Sequence, residues 1–245
     1  MAYRYDADLE FLSKVSSSDM DGLVTTLTHD KDGSVRFTEE LTGAVEYKRH
    51  HPNHAAYWEL VAAEIQSFGA NTFATLFRGG KGVPYKEVLC DVCDKLKVNY
   101  SSKSSVDMIE QNLMMKIISD ALDKMSPEEV RELAEDAGVP DFGALSKDAA
   151  MAAFIAIFRA GGFKSYQILV IVVNAVLKAL IGRGLTFAAT GAMTRTASIL
   201  AGPIGWVITG LWTAFDIASP AYRVTIPAVI QVAVLRQKVL IDNKR

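Results

Sequence analysis

Charged and apolar residues in this chain are sorted into opposite halves, and that sorting limits what it can fold into. Residues 1–148 carry 16 Lys+Arg against 26 Asp+Glu, a net of −10, while residues 149–245 carry 10 against 2, a net of +8. The overall charge of −2 hides this division. Between Ala149 and Tyr222 the charged residues are Arg159, Lys164, Lys178, Arg183, Arg195 and Asp216 alone. A stretch so poor in charge cannot form an ordinary solvated surface. It is core, or it meets a membrane or another protein, and its basic character favours an anionic one.

Half of the 245 residues are hydrophobic and 22% are charged, which excludes global disorder and allows one large core or two modest ones. Cys90 and Cys93 lie too close together to staple a secreted scaffold, so a reducing, cytoplasmic setting is expected. The acidic stretch Met1–Leu12 lacks the apolar segment of a signal peptide. Three regions are expected: an acidic helical region over 1–98, an acidic helical connector over 99–148 opened by a Ser-rich linker, and a hydrophobic, basic helical region over 149–245 packed on the rest.

Helical periodicity dominates, so the expected fold is all-α, a multi-helix bundle with two central hydrophobic helices and almost no strand. Leu9, Phe11, Leu12 and Val15 recur at helical spacing, as do Met20, Leu23, Val24 and Leu27. A turn follows at Asp30–Gly33, and Thr38 is expected to open another helix. The next helix presents Tyr57, Leu60, Val61, Ile65 and Phe68 on one face, intruded upon by Glu64, and breaks or bends at Gly69–Asn71. Ser126-Pro127-Glu128-Glu129 combines an N-cap serine, a first-position proline and a capping-box glutamate, while Ser146 caps the following helix. Ile226 precedes Pro227, and Val224, Thr225 and Ile226 are β-branched, so Tyr222–Ile226 is expected to be extended and the last helix to begin at Pro227. That helix carries a basic end at Arg236, Lys238, Lys244 and Arg245.

Two apolar runs carry the functional question. Phe163–Ile181 contains the uncharged stretch Ser165–Leu177, and Thr196–Phe215 is uncharged for 20 residues. That length is about what a membrane span requires, although Pro203 and three glycines weaken the second run as a straight helix. Buried helices of a bundle have the same composition. The alternative is a hairpin sheltered within the fold that enters or lies on a membrane. Its contact residues, toward a membrane or a partner, would be Ile171, Val172, Lys178, Arg183, Arg195, Trp206 and Trp212.

Other constellations are weaker. His50 and His54 with Cys90 and Cys93 form a nominal metal set, but Pro52 interrupts the histidine pair and the cysteines lie inside a predicted helix. The expectation is no metal, the cysteines toward the buried side and the histidines at the surface. Arg78 and Lys81 precede the helix start at Pro84 and make a candidate anion site, although the surrounding glycines do not match a phosphate-binding Walker loop. The four histidines lie in the acidic half and no nucleophile elbow occurs, so no catalytic residue and no cofactor is expected. Basic residues spread through apolar sequence also argue against nucleic acid.

Three segments together carry a family resemblance: Tyr57–Gly69, Arg78–Glu87 and Ser219–Val229, the last containing Tyr-Arg-Val-Thr-Ile-Pro-Ala-Val. They resemble the YaaW-like family of uncharacterised bacterial proteins, some of which carry a ubiquinol–cytochrome c chaperone-like label. The resemblance implies a bacterial, cytoplasmic protein and brings no activity with it. Within the last segment, Arg223 has Asp216 as its one nearby acid, and a buried structural pair between them is expected. The reading from sequence is a non-enzymatic helical protein that associates with or inserts into membranes through its C-terminal half. It would be cytoplasmic, peripheral or conditionally inserted at the inner membrane, with an anionic membrane or a protein as partner. The alternative is a protein-interaction, chaperone or assembly factor whose apolar half is ordinary core.

Overall fold

A computed structural model describes residues 3–37, 39–73, 82–136, 146–182 and 222–243. The fold is all-α. Its helices are α1 (Ser17–Thr28), α2 (Val45–His50), α3 (Trp58–Phe73), α4 (Tyr85–Lys95), α5 (Val106–Lys124), α6 (Pro127–Asp136), α7 (Lys147–Ala160), α8 (Gly162–Ile181) and α9 (Tyr222–Asp242). Two short 3-10 turns, Glu10–Lys14 and His54–Tyr57, complete the helical elements among the described residues. The nearest approach to a strand among the described residues is an isolated bridge between His29 and Val35, which closes the turn at Asp30–Gly33.

Local chemistry explains most boundaries. Ser16, Ser105 and Ser146 each accept a hydrogen bond from the backbone N–H three residues on, capping α1, α5 and α7. At α6 the capping box forms in both directions: the Glu129 N–H donates to Ser126 Oγ at 3.2 Å, and the Ser126 N–H donates to Glu129 Oε2 at 2.7 Å. Three expectations are corrected. No helix follows residue 38 directly; residues 41–43 form a turn and α2 starts at Val45. α3 continues through Gly69–Asn71 to Phe73, because Gly69 lies where a Cβ would meet Val88 Cγ2 at 2.3 Å. The glycine there permits close packing of α3 on α4 rather than a break.

The third correction concerns Pro227. α9 begins at Tyr222, five residues earlier than expected, and holds Pro227 within it. The proline withholds one N–H from the carbonyl of residue 223. Arg223 is exposed, so solvent is at hand there. Val224, Thr225 and Ile226 are all buried, and their packing outweighs the local preference for an extended chain.

α9 is the axis of the molecule. Residues Val224 to Arg236 are buried without a break. α9 packs on α8 and α1 most extensively, and also on α4, α3, α5 and the Glu10–Lys14 turn. The acidic half therefore wraps the C-terminal helix. α8 is covered nearly as well, with Ile168 through Val173 and Ala175 through Leu177 all buried. It meets α7 at a bend of 118°, where Gly161 (φ 72°) and Gly162 (φ 79°) adopt backbone conformations that a side chain disfavours. By length and composition α9 could cross a membrane, as could α7 and α8 if taken as one bent span, yet 72% of the apolar window of α9 is buried inside the fold. A buried core helix has the same apolar composition as a span.

One charged group is enclosed on the apolar face of α3. Glu64 is 1% exposed, and its carboxylate accepts the Glu40 backbone N–H at 3.3 and 3.4 Å. Burial pushes its pKa up to about 7; the Glu40 N–H pulls it down, and the charges of Glu39 and Glu40 push it up again. The ordinary value is 4.5, so between about 4.5 and about 7 the folded chain holds a proton that the unfolded chain has lost. Stability from this group is therefore greatest at acid pH and falls as pH rises through that window. Glu64→Gln keeps an acceptor for Glu40 and removes the charge. Thermal melting should show the variant more stable than the parent at pH 8, by up to about 3 kcal/mol, and no more stable near pH 4.

Candidate binding site

A buried polar cluster centres on Arg236, which is 8% exposed on the largely apolar α9. Its Nε donates to Glu110 Oε2 at 2.8 Å, and its Nη2 donates to Glu110 Oε1 at 3.3 Å and to the Asp8 carbonyl at 2.7 Å. The guanidinium lies over the Phe11 ring, 4.3 Å from its centroid. Glu110 on α5 also accepts the Tyr85 hydroxyl at 2.7 Å, and the Tyr85 N–H at the start of α4 donates to Asp6 at 2.6 Å. Four parts of the chain thus share one network: the N-terminal segment, α4, α5 and α9. Burial raises the Glu110 carboxyl above its ordinary range, opposed by Arg236 and by the hydroxyl of Tyr85. A bidentate arginine with further partners is the arrangement that makes two such charges tolerable away from water.

Beside this cluster lies a cavity of about 250 Å³ between α5, the α7–α8 bend and α9. Met114, Met115, Phe158 and Leu169 supply its apolar wall, and Glu110, already engaged by Arg236, forms part of its polar wall. Tyr166 and Arg159 line it as well. Tyr166 is 8% exposed, and its hydroxyl is buried with no hydrogen-bond partner. Arg159 is exposed, which places it at the opening, near the half-exposed side chain of Met108.

Of the residues singled out in the sequence, the described ones are not among those of this cluster or cavity. Ile171 and Val172 are buried in α8, at 6% and 0% exposure, as both a core helix and a sheltered hairpin require; Lys178 is exposed near the end of that helix. Arg78, Lys81, Arg183, Arg195, Trp206, Trp212 and Asp216 lie outside the described residues, as does the run Thr196–Phe215. Arg223 is exposed at the start of α9 rather than buried. His50 is exposed, but His54 is buried, contrary to expectation; its Nδ1 meets the Tyr57 hydroxyl at 2.5 Å and its Nε2 meets Asp21 at 3.2 Å. Burial lowers its pKa, with Asp21 opposing. Cys93 is buried and Cys90 partly so, and burial raises the Cys93 thiol to about 12. Among the described residues no three His, Cys, Asp or Glu side chains are grouped so as to hold a metal ion.

Sequence reasoning missed Arg236, Glu110 and Tyr166. A signal was available for the first two: Arg236 follows Val232-Ala233-Val234-Leu235, and Glu110 sits one residue from Ile109 and three from Leu113, on the apolar side of α5. Charges of opposite sign embedded in two apolar helix faces invite pairing. Nothing local marks Tyr166.

A helical protein with a C-terminal apolar helix sheathed by an acidic amphipathic half is the class this fold defines. The model of the ubiquinol-cytochrome C chaperone family matches residues 53–230, and a domain of unknown function matches residues 3–37. A UPF0174 protein of Helicobacter pylori strain J99 is 52% identical over 238 residues, covering 97% of this chain and 94% of that protein. A second UPF0174 protein, from Helicobacter pylori strain 26695, is 42% identical over 204 residues, covering 82% of this chain and 97% of that one. The UPF0174 protein YaaW of Escherichia coli K12 is 31% identical over 246 residues, covering 97% and 96% respectively. No solved structure matches the chain. The chain belongs to the UPF0174, YaaW-like family and to the ubiquinol-cytochrome C chaperone family as its model describes it.

The buried pair sets a testable asymmetry. Arg236→Met alone leaves Glu110 enclosed without its cation and should cost about 3–5 kcal/mol in chemical denaturation. Adding Glu110→Leu should recover most of that loss, because removing both charges also removes the desolvation penalty. A double variant as unstable as the single one would show that the pair does not act as described.

Proposed function

We propose that the protein is a non-enzymatic, cytoplasmic interaction factor of chaperone or assembly type, which acts by contacting another polypeptide. The observation that carries this reading is the burial of α8 and α9. The apolar helices visible in the fold already face one another and the acidic half, which supports reading them as ordinary core. Inserting them into a membrane would require opening the Arg236–Glu110 network and the core together. The printed name of the matching family model, a ubiquinol-cytochrome C chaperone, supports the same direction. The apolar side chains that remain outside are separate: Phe37 is fully exposed, with Val35 and Val45 more than half exposed nearby in sequence. An uncovered phenylalanine flanked by uncovered valines suits contact with a partner chain.

A second reading rests on a different observation. Phe163 is 48% exposed at the α7–α8 bend, between Arg159 and Lys164. An aromatic between two cations can dip into an anionic bilayer surface without unfolding the protein. The first reading predicts that the protein reduces light scattering from an aggregating apolar client, and that Phe37→Ser with Val35→Ser weakens this without lowering the melting temperature. Flotation with anionic and neutral vesicles checks the second: Phe163→Ser should reduce recovery with anionic vesicles. No effect on any client, together with retention on anionic vesicles, would reverse the order of the two readings.

A further inference from the structure

The cavity between α5, the α7–α8 bend and α9 is separate from the Phe37 surface and shares Arg159 with the Phe163 one, and three of its properties bear on what it can hold. The first is size. An apolar cavity of about 150 Å³ accepts benzene, so one of about 250 Å³ accepts roughly an eight- to ten-carbon chain. Its walls at Met114 and Met115 suit such a chain, because the unbranched thioether side chain adapts to flexible apolar partners.

The second property is the Tyr166 hydroxyl. Buried polar groups almost always have partners, and leaving one without costs the desolvation penalty of the group. Tyr166 lines the cavity, is more than nine-tenths buried, and its hydroxyl has no partner. An acceptor oxygen brought in by a ligand would satisfy it. Asp19 and Asp242 are the carboxylates near enough to act on Tyr166; both lie within ion-pair reach of Lys238, which offsets their charge, and Asp19 Oδ1, though buried without a partner, makes no hydrogen bond to the Tyr166 hydroxyl.

The third property is charge. Glu110 lines the cavity but is engaged by Arg236 at 2.8 Å. Arg159 also lines it, and it makes no ion pair with any described residue. At Gly161 and Gly162, on the same bend, an added Cβ would meet nothing within 4 Å among the described residues. Among the described residues, the lining charge without an ion-pair partner is therefore positive.

The geometry points to a binding site for a single-chain anionic amphiphile, with its carboxylate or phosphate head at Arg159, an oxygen accepting from Tyr166, and its chain between Met114, Met115, Phe158 and Leu169. The ligand is held whole and undergoes no chemistry. Its source can be a free fatty-acid-like molecule or a lipid at a bilayer surface, which share this head-and-chain pattern.

Isothermal titration of the full chain with decanoate below its micellar concentration tests the site, with decan-1-ol as the uncharged control and anionic phospholipid vesicles as a separate arm. Saturable binding of one decanoate is expected, tighter than decan-1-ol by about tenfold. Arg159→Gln should erase that preference. Tyr166→Phe should weaken decanoate several-fold while leaving the ligand-free melting temperature unchanged or higher, since it removes an unpartnered hydroxyl; a structural tyrosine would lower it. Leu169→Met, which keeps volume, should bind like the parent, whereas Leu169→Trp should exclude decanoate. Decanoate binding lost to vesicle binding in competition would identify the bilayer as the source, and retention in the presence of vesicles would identify the free molecule. Absence of saturable decanoate binding up to about 1 mM, or binding indifferent to Arg159 and Leu169 together, overturns the proposal whatever the outcome with client proteins.

Discussion

Enclosing Arg236 within an apolar helix is the constraint around which the rest of the molecule is arranged. A guanidinium there is tolerable only with fixed partners, and those partners come from distant parts of the chain: Glu110 from α5, the Asp8 carbonyl from the N-terminal segment and the Phe11 ring beneath it. Tyr85 completes the Glu110 end and hands its own N–H to Asp6. Because each partner lies on a different element, the network fixes how the acidic half is wound around α9. The division of charge along the sequence thus has a counterpart in space. Acidic helices form the sheath, and one basic residue of the apolar half passes inward to hold them.

This arrangement changes the meaning of the apolar composition. In isolation, α9 satisfies the length and hydropathy of a membrane span. Inside the fold its Val224–Arg236 stretch is buried throughout and it is contacted from several sides, and all-round burial of this kind calls for an all-round hydrophobic helix. α8 shows the same behaviour at Ile168–Val173. Outside this core stand exposed apolar side chains at Phe37 and Phe163, and a cavity beside which the Tyr166 hydroxyl has no partner.

The helices and several of their ends were legible in the sequence because the controlling chemistry is local. The capping box at Ser126–Glu129 formed as spacing alone implies, and Ser146 caps α7. Expectations failed where tertiary packing overrode local preference. Pro227 argued for an extended approach, yet buried Val224, Thr225 and Ile226 hold it in a helix; Gly69 looked like a break and serves close packing against Val88. The site was less legible still. Arg236 read only as part of the basic end of the last helix, and His54 as a surface histidine, because groups that enclose them are remote in sequence. Tyr166 is notable only for a bond that it does not make, which no spacing of residues can reveal.

The central claim, that α8 and α9 are core rather than stored membrane segments, is tested most directly by amide hydrogen–deuterium exchange. Their amides should be among the slowest to exchange in the protein, opening only with global unfolding, and unchanged by anionic vesicles. Fast exchange along Val224–Arg236 in the free protein, or protection there that shifts when vesicles are added while the rest of the fold persists, would contradict the account.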